Sequence, residues 1–327
     1  MAVGSSGGRA IRGRVWTSQD GQRWTVQADE AFTGYSLDMV VRAGQTLYAF
    51  GTGGESDVRI WRSSDGATWS LLPVVPELGL PGLSDVAVSG DTMIAVGGFD
   101  DPTTGFSPGV WRSRDGTQWQ RVGTPPGAAD LYAVAAAGGT LVASEGYPQH
   151  SGPLLWYSTD LGDSWQPAQT DLIVDEDGNL GLVDIAASDG RLVAVGYEEL
   201  DEYQPIALTS TDGANWESAA FPRTPERLLF EQVSARPGGF LAIATGYRVG
   251  EEGLSWTSAD GLDWRAGPTL YNRTRVYQPG DTPGDDVVNH RVLAVGDMGV
   301  VVAESWQFAG SGEEGLHVWF APLSVFD

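Results

Sequence analysis

The 327-residue chain has no cysteine and no lysine. Without cysteine there can be no disulfide, thiolate metal site or cysteine nucleophile, and the redox compartment stays open. All 19 basic residues are arginine, a bias that fits a GC-rich coding sequence. Histidine is as scarce: His150, His290 and His317 are scattered, so spacing supports neither a histidine zinc site nor a Ser-His-Asp triad. Positive charge is outnumbered by 43 acidic residues, and the formal charge of −24 argues against nucleic acid or an anionic membrane as a partner. No apolar run approaches the roughly 20 residues of a membrane span. The start, MAVGSSGGRAIRG, has no apolar core of signal-peptide length, which places the protein in the cytoplasm unless an export signal lies outside this chain.

Glycine and proline are what the chain has in plenty. Its 45 Gly and 18 Pro, set among short β-branched and alanine-rich runs, suit many short strands joined by tight turns. A six-fold pattern organises them. The stretches SQDGQRW from Ser18, SSDGATW from Ser63, SRDGTQW from Ser113, STDLGDSW from Ser158, STDGANW from Ser210 and SADGLDW from Ser258 recur at aspartate intervals of 45, 50, 45, 52 and 48 residues. The repeated residues are Ser18, Asp20, Gly21 and Trp24; Ser63, Asp65, Gly66 and Trp69; Ser113, Asp115, Gly116 and Trp119. They continue as Ser158, Asp160, Gly162 and Trp165; Ser210, Asp212, Gly213 and Trp216; Ser258, Asp260, Gly261 and Trp264.

Each interval holds the same ordered segments. An apolar run A (LSDVAV from Leu83, LVDIAA from Leu182) is followed by a turn and a run B (MIAVGG from Met93, LVAVGY from Leu192). A variable loop leads to run C, which precedes the Ser-x-Asp box, and run D begins at the closing tryptophan. Four short strands per unit form a small antiparallel meander with two apolar faces, and such units satisfy their cores by packing around an axis. The expected fold is therefore an all-β propeller of about seven four-stranded antiparallel blades, with six as the alternative, in one domain over residues 1–327. The first unit lacks an A run and the last lacks a box and a clear D run. Eleven of the 13 tryptophans stand at two fixed positions flanking the boxes, as expected for residues that fill the seams between sheets.

Asp-Gly between alternating strands is a strong signal for a two-residue hairpin turn with both residues at positive φ. The short boxes are read that way. In the long copy Leu161 adds a residue, which predicts a three-residue turn with Gly162 left-handed.

Ser158-Thr159-Asp160-Leu161-Gly162-Asp163-Ser164-Trp165 resembles in full the Asp-box, or bacterial neuraminidase repeat, Ser-x-Asp-x-Gly-x-x-Trp. The other five copies resemble it with one residue deleted. The resemblance implies a sialidase-like propeller, a scaffold shared by xyloglucanases, sortilin-type receptors and photosystem assembly factors. It also implies that the boxes lie on the C-to-D turns, on the rim opposite the ligand face, where their aspartates cannot converge on one bond. An extracellular or cell-surface location is favoured by the same resemblance.

Function is then sought on the B-to-C loops and D-to-A connections. Phe99, Tyr147, Tyr197, Tyr247 and Trp306 end successive B runs, and such aromatics can stack on a ligand or cap the blade edges. Arg223, Arg248, Arg273 and Arg275 cluster in the loops of late units and offer an anion site. A glycosidase needs two carboxylates about 5 to 10 Å apart. Candidates include Asp100, Asp101, Glu145, Glu198, Glu199, Glu251, Glu252 and Glu304. Sialidases by resemblance also need three substrate-gripping arginines, a Tyr-Glu nucleophile and a Phe/Tyr-Arg-Ile-Pro motif. That motif is missing: Val58-Arg59-Ile60-Trp61 is a C run and Phe221-Pro222-Arg223 a connection. Asp175, Asp177 and Asn179 alternate like the start of a calcium loop, but the twelfth position is Ala186 rather than a bidentate Glu. The expectation is no cofactor, with Ca²⁺ at that turn as the alternative. The leading reading is a monomeric, non-catalytic module binding a glycan, peptide or protein. A sialidase-like glycoside hydrolase and a structural assembly factor are the alternatives.

Overall fold

The computed structural model describes residues 1–6, 12–18, 25–27, 30–53, 57–75, 81–101, 103, 105–145, 153–172, 180–199, 203–219, 221, 228–246, 252–269, 271–272, 286–296, 299–308 and 314–322. Among them the chain is a succession of antiparallel meanders. Blade 1 has β1 (Ala2–Ser6), β2 (Arg12–Thr17) and β3 (Thr25–Gln27), followed by a 3₁₀ turn at Glu30–Phe32. Blade 2 has β4 (Tyr35–Ala43), β5 (Thr46–Gly53), β6 (Val58–Ser63) and β7 (Ser70–Leu71). Blade 3 has β8 (Pro81–Ser89), β9 (Thr92–Asp101), β10 (Gly105–Ser113) and β11 (Gln120–Arg121). Blade 4 has β12 (Ala133–Ala137), β13 (Thr140–Ser144), β14 (Leu155–Ser158) and β15 (Gln166–Pro167), and β16 (Gln169–Thr170) leaves it to pair with the next sheet. Blade 5 has β17 (Leu180–Ser188), β18 (Arg191–Glu199), β19 (Tyr203–Ser210) and β20 (Asn215–Ser218). Blade 6 has β21 (Leu228–Arg236), β22 (Gly239–Gly246), β23 (Glu252–Ser258) and β24 (Arg265–Ala266), with β25 (Tyr271–Asn272) pairing β23. The closing sheet is β26 (Asp286–Gly296), β27 (Gly299–Phe308) and β28 (Glu314–Pro322).

The first strands of successive sheets lie side by side, and β1 meets both β4 and β26, so the sheets close into a propeller. Five sheets carry the complete four-strand meander. The two three-stranded sheets meet where the ring closes, β1 lying against β26, β27 and β28. They count as two short blades of seven or as one shared closing blade of six, because no ladder joins them among the described residues.

The seams hold the core. Trp61 and Trp69 of blade 2 pack with Val3 and Val15 of blade 1 and with Phe32. Trp111 and Trp119 of blade 3 pack on Tyr48, Phe50 and Ile60 of blade 2. Trp156 and Trp165 of blade 4 pack on Ile94, Val96 and Val110 of blade 3. Blade 5 has Leu208 where the other C strands have tryptophan, and Leu208 joins Trp216 against Val142 and Leu155 of blade 4. Trp256 and Trp264 close the seam to blade 5. Each of blades 2 to 6 thus buries its flanking pair against the sheet before it, and all of these side chains are buried.

The B strands approach the innermost A strands closely at one height. A Cβ on Gly51, Gly97 or Gly196 would fall 1.9, 2.0 and 1.9 Å from the carbonyl oxygens of Ser36, Gly82 and Gly181. At that level the A strands of blades 2, 3 and 5 bulge, with an extra residue between Leu37 and Met39, Leu83 and Asp85, and Leu182 and Asp184. Blade 6 bulges equally between Phe230 and Gln232.

Candidate functional site

The Ser-x-Asp boxes stand on the C-to-D turns, beside the A-to-B turns of the same rim. In each described short box the serine Oγ accepts the glycine N–H, at 2.8 Å for Gly66, 3.0 Å for Gly116, 2.8 Å for Gly213 and 2.8 Å for Gly261. The aspartate Oδ1 accepts the serine hydroxyl and two later backbone N–H groups; for Asp65 these are Ala67 and Thr68, both at 2.8 Å. Hydrogen bonds from Thr68 and Ala67 hold the Asp65 carboxyl down at about 2, and Asn215 does the same for Asp212, also at about 2. These carboxylates are ionised turn caps. Asp20, Gly21 and Trp24 of the first box lie outside the described residues.

The expected positive φ at both Asp and Gly is corrected. Only the glycines, such as Gly66 at 75° and Gly116 at 72°, are left-handed. The aspartate stays at negative φ because its carboxylate bonds forward along the chain. A two-residue turn with both central residues left-handed does occur elsewhere, at Asp189 (49°) and Gly190 (76°) between β17 and β18. Run D also starts later than expected: β7, β11, β15 and β24 begin just after the tryptophan, and only β20 includes it.

The long box differs more than by one residue. Gly162 is left-handed as expected, and so is Leu161, at φ 58°. In the short boxes the closing tryptophan Nε1 donates to its own box glycine, 3.0 Å from Trp119 to the Gly116 carbonyl. Trp165 instead donates to the carbonyl of Gly123 in blade 3, at 3.0 Å. Gly123 has no room for a Cβ, which would sit 2.3 Å from the Asp163 carbonyl. The longer turn therefore docks on the preceding blade.

On the opposite rim, Tyr147, Tyr247, Arg223, Arg248, Arg273 and Arg275 lie outside the described residues, as do Asp175, Asp177 and Asn179. Trp306 is placed on β27 by its backbone. Phe99 lies two residues before the end of β9, half-buried, with its ring 6.2 Å from Trp111 edge-on and the Arg121 guanidinium 3.9 Å above it. Tyr197 is buried at 7% exposure. Both aromatics that can be placed are thus packed into their blades. Among the described residues no three His, Asp or Glu gather as a metal site, and no helix is long and apolar enough to cross a membrane.

What sequence reasoning missed lies on the innermost strands. Asp85 Oδ1 accepts the N–H of Val86 at 2.7 Å and its Oδ2 accepts that of Val134, in the next blade, at 2.8 Å. Asp184 repeats the arrangement with Ile185 at 2.8 Å and Val233 at 2.9 Å. Each residue keeps part of its surface accessible, but the carboxyl itself is enclosed by the inner strands. Burial pushes Asp85 up to about 6; burial and then the charge of Asp85 push Asp184 up to about 8. In blades 2, 4 and 6 the equivalent residues are Met39, Ala133 and Gln232, and the two carboxyls link blade 3 to 4 and blade 5 to 6.

Between the two clamps, blade 4 is unlike its neighbours. Where blades 2, 3 and 5 have the close-approach glycine, it has Glu145, which is 4% exposed and accepts the N–H groups of Ala129 and Asp130. Its A strand begins only at Ala133. Ala244 occupies the same place in blade 6 without breaking the ladder, so the reach and charge of Glu145 set blade 4 apart. Tyr132, directly before β12, is 46% exposed. Phe106 near the start of β10 is 53% exposed, its ring covering Gly98, where a Cβ would fall 2.0 Å from it. Two exposed aromatics and three enclosed carboxyls are thus carried by blades 3 to 5.

No protein-family model matches the chain, and no curated protein matches it. Among solved structures it is similar to "Structure of YjhT", at TM-score 0.52 and 13% identity, covering 79% of this chain and 91% of that one. It is similar to a Dyadobacter fermentans protein of unknown function at TM-score 0.50 and 15% identity, over 88% and 94%. A Trypanosoma rangeli sialidase mutant with trans-sialidase activity aligns at TM-score 0.46 and 12% identity, over 94% of this chain; the chain spans 56% of that protein's length. At these identities the likeness is one of fold, and the class defined is an all-β propeller.

Proposed function

We propose that the protein is a non-catalytic propeller that binds a glycan, peptide or protein on the face of its B-to-C loops and D-to-A connections, a glycan being the ligand the described surface suits best. The observation that carries this reading is the use made of the inner acids. Asp85 and Asp184 each accept two strand N–H groups, one on each oxygen, and Glu145 Oε1 accepts two from the connection before β12, so these acids are engaged in holding backbone. What remains presented is aromatic, Tyr132 and Phe106, and flat rings beside polar backbone suit the apolar faces of sugars. Glycan-array binding followed by titration of the best hit tests it. Tyr132→Ala should weaken binding by roughly two- to tenfold, with unchanged melting.

One observation favours a glycoside hydrolase as the second reading. Asp184, raised to about 8, stays protonated at neutral pH while Asp85, at about 6, ionises, and a split carboxyl pair is what such chemistry uses. Fluorogenic glycosides, sialosides included, separate the two. Turnover abolished by Asp184→Asn in a folded protein would replace the binding-module reading.

A further inference from the structure

We infer that the seam between blades 3 and 4, on the rim of the Ser-x-Asp turns, is a binding site for a single carboxylate carried on a small, partly apolar ligand. It is a different surface from the loop face discussed above and stands independently of it. A solvent-open cavity of about 590 Å³ lies there, lined among others by Thr92, Arg112, Arg114, Gln118, Gln120 and Leu161. That volume is in the range of small-molecule sites.

The two arginines differ in what they have left to offer. Arg112 is bound across the seam to Asp163, Nη1 to Oδ2 at 3.0 Å, and its other terminal nitrogen lies 3.5 Å from Gln120 Oε1. Arg114 makes one hydrogen bond, from Nε to Thr92 Oγ1 at 3.4 Å, and no ion pair with a described residue. The adjacent Asp115 makes no ion pair with it; its Oδ1 accepts the Ser113 hydroxyl and the N–H groups of Thr117 and Gln118. Arg114 lines the cavity and neither terminal nitrogen bonds a described residue, and a guanidinium so placed is a fork for a planar carboxylate. In a chain of net charge −24, with Asp115 itself lining the cavity and Asp163 paired with Arg112, a single negative charge is admitted more readily than the double charge of a phosphate.

Leu161 supplies the second half of the ligand's description. It comes from the only box with an inserted residue and is held at φ 58°, where a branched side chain is strained and glycine would make the turn freely. Its side chain instead walls the cavity. Strain retained at a concave, charged site fits recognition of an apolar flank beside the carboxylate.

The test is NMR or calorimetric titration of the full 327-residue chain with N-acetyl-leucine, its uncharged amide, and D-glucuronate. N-acetyl-leucine should bind, with the amide and the Arg114→Gln variant each weakening the interaction at least about tenfold. Leu161→Gly, which removes the wall without disfavouring the turn, should weaken N-acetyl-leucine but leave glucuronate unaffected. Glucuronate binding weaker than N-acetyl-leucine would support the apolar-flanked acid; equal or tighter binding would overturn the apolar half of the inference and leave an acidic-sugar site. No binding by any probe, equal binding of the amide, or full affinity in a folded Arg114→Gln protein would overturn the inference.

Discussion

At the scale of single residues, the repeated glycine has two separable jobs, conformation and clearance. Gly90 and Gly116 are both left-handed, at φ 65° and 72°, but a Cβ on Gly90 meets nothing within 4 Å whereas one on Gly116 would lie 2.6 Å from Tyr48 Cε1 in the preceding blade. Gly90→Ala should therefore cost only the left-handed penalty, about 1 kcal/mol. Gly116→Ala should cost about 1 to 3 kcal/mol more, because it also overpacks a seam. Urea unfolding of the two variants checks this, and equal losses would show that the box glycine matters only for its turn. Serine and aspartate act within the turn itself, and neither is free for chemistry. The positive φ assigned to the box aspartates from the Asp-Gly dipeptide failed for the same reason. A serine two residues earlier and two N–H groups beyond offer the carboxylate a better arrangement, and local dipeptide preference does not weigh that competition.

At the scale of strands, the innermost A strands are edges, and an edge leaves every second N–H without a ladder partner. Asp85 and Asp184 close two of those gaps by reaching Val134 and Val233, one repeat further along the chain. In sequence both looked like ordinary polar positions of an alternating strand. The readable clue was the same residue at the same place in two units, obscured because Met39, Ala133 and Gln232 stand there in blades 2, 4 and 6. The tryptophan positions were legible because they recur in unit after unit; the clamps were not, because among the described residues only two seams show one. Their titration predicts a pH profile. A carboxyl raised to about 6 or about 8 when folded keeps a proton that the unfolded chain releases near 4, so stability falls as pH rises from about 4 to about 8. The box carboxylates, held at about 2, act oppositely and lose their contribution as pH drops from about 4 toward 2. Stability should peak near pH 4 to 5. Asp184→Asn leaves one of the two N–H groups without an acceptor, a loss of about 1 to 2 kcal/mol at pH 4. Because the amide does not titrate, the gap to wild type should close and then reverse as pH rises toward 8. A gap that stayed constant across this range would mean Asp184 is ionised throughout.

At the scale of the whole molecule, a propeller is as strong as its least bonded seam. Five seams are filled by the paired aromatic or leucine positions of successive blades, among them Trp61 with Trp69 and Leu208 with Trp216. The junction of β1 with β26, β27 and β28 has contact but no shared ladder among the described residues. The missing first A run and last D run were evident from the repeat, whereas the way the two short sheets meet depends on packing that no periodicity encodes. Local opening starts where the fewest contacts must break, so this junction should open before the ring unfolds as a whole. Native-state hydrogen exchange should then find the ladder amides of β1 and β26 exchanging by a lower-energy opening than those of β9, β13 and β18. Since the chain carries −24, its self-repulsion presses on the same junction, and added salt at neutral pH should slow exchange there more than in the complete blades. Uniform protection around the ring, insensitive to salt, would show that the two short sheets are joined as firmly as any complete pair of blades.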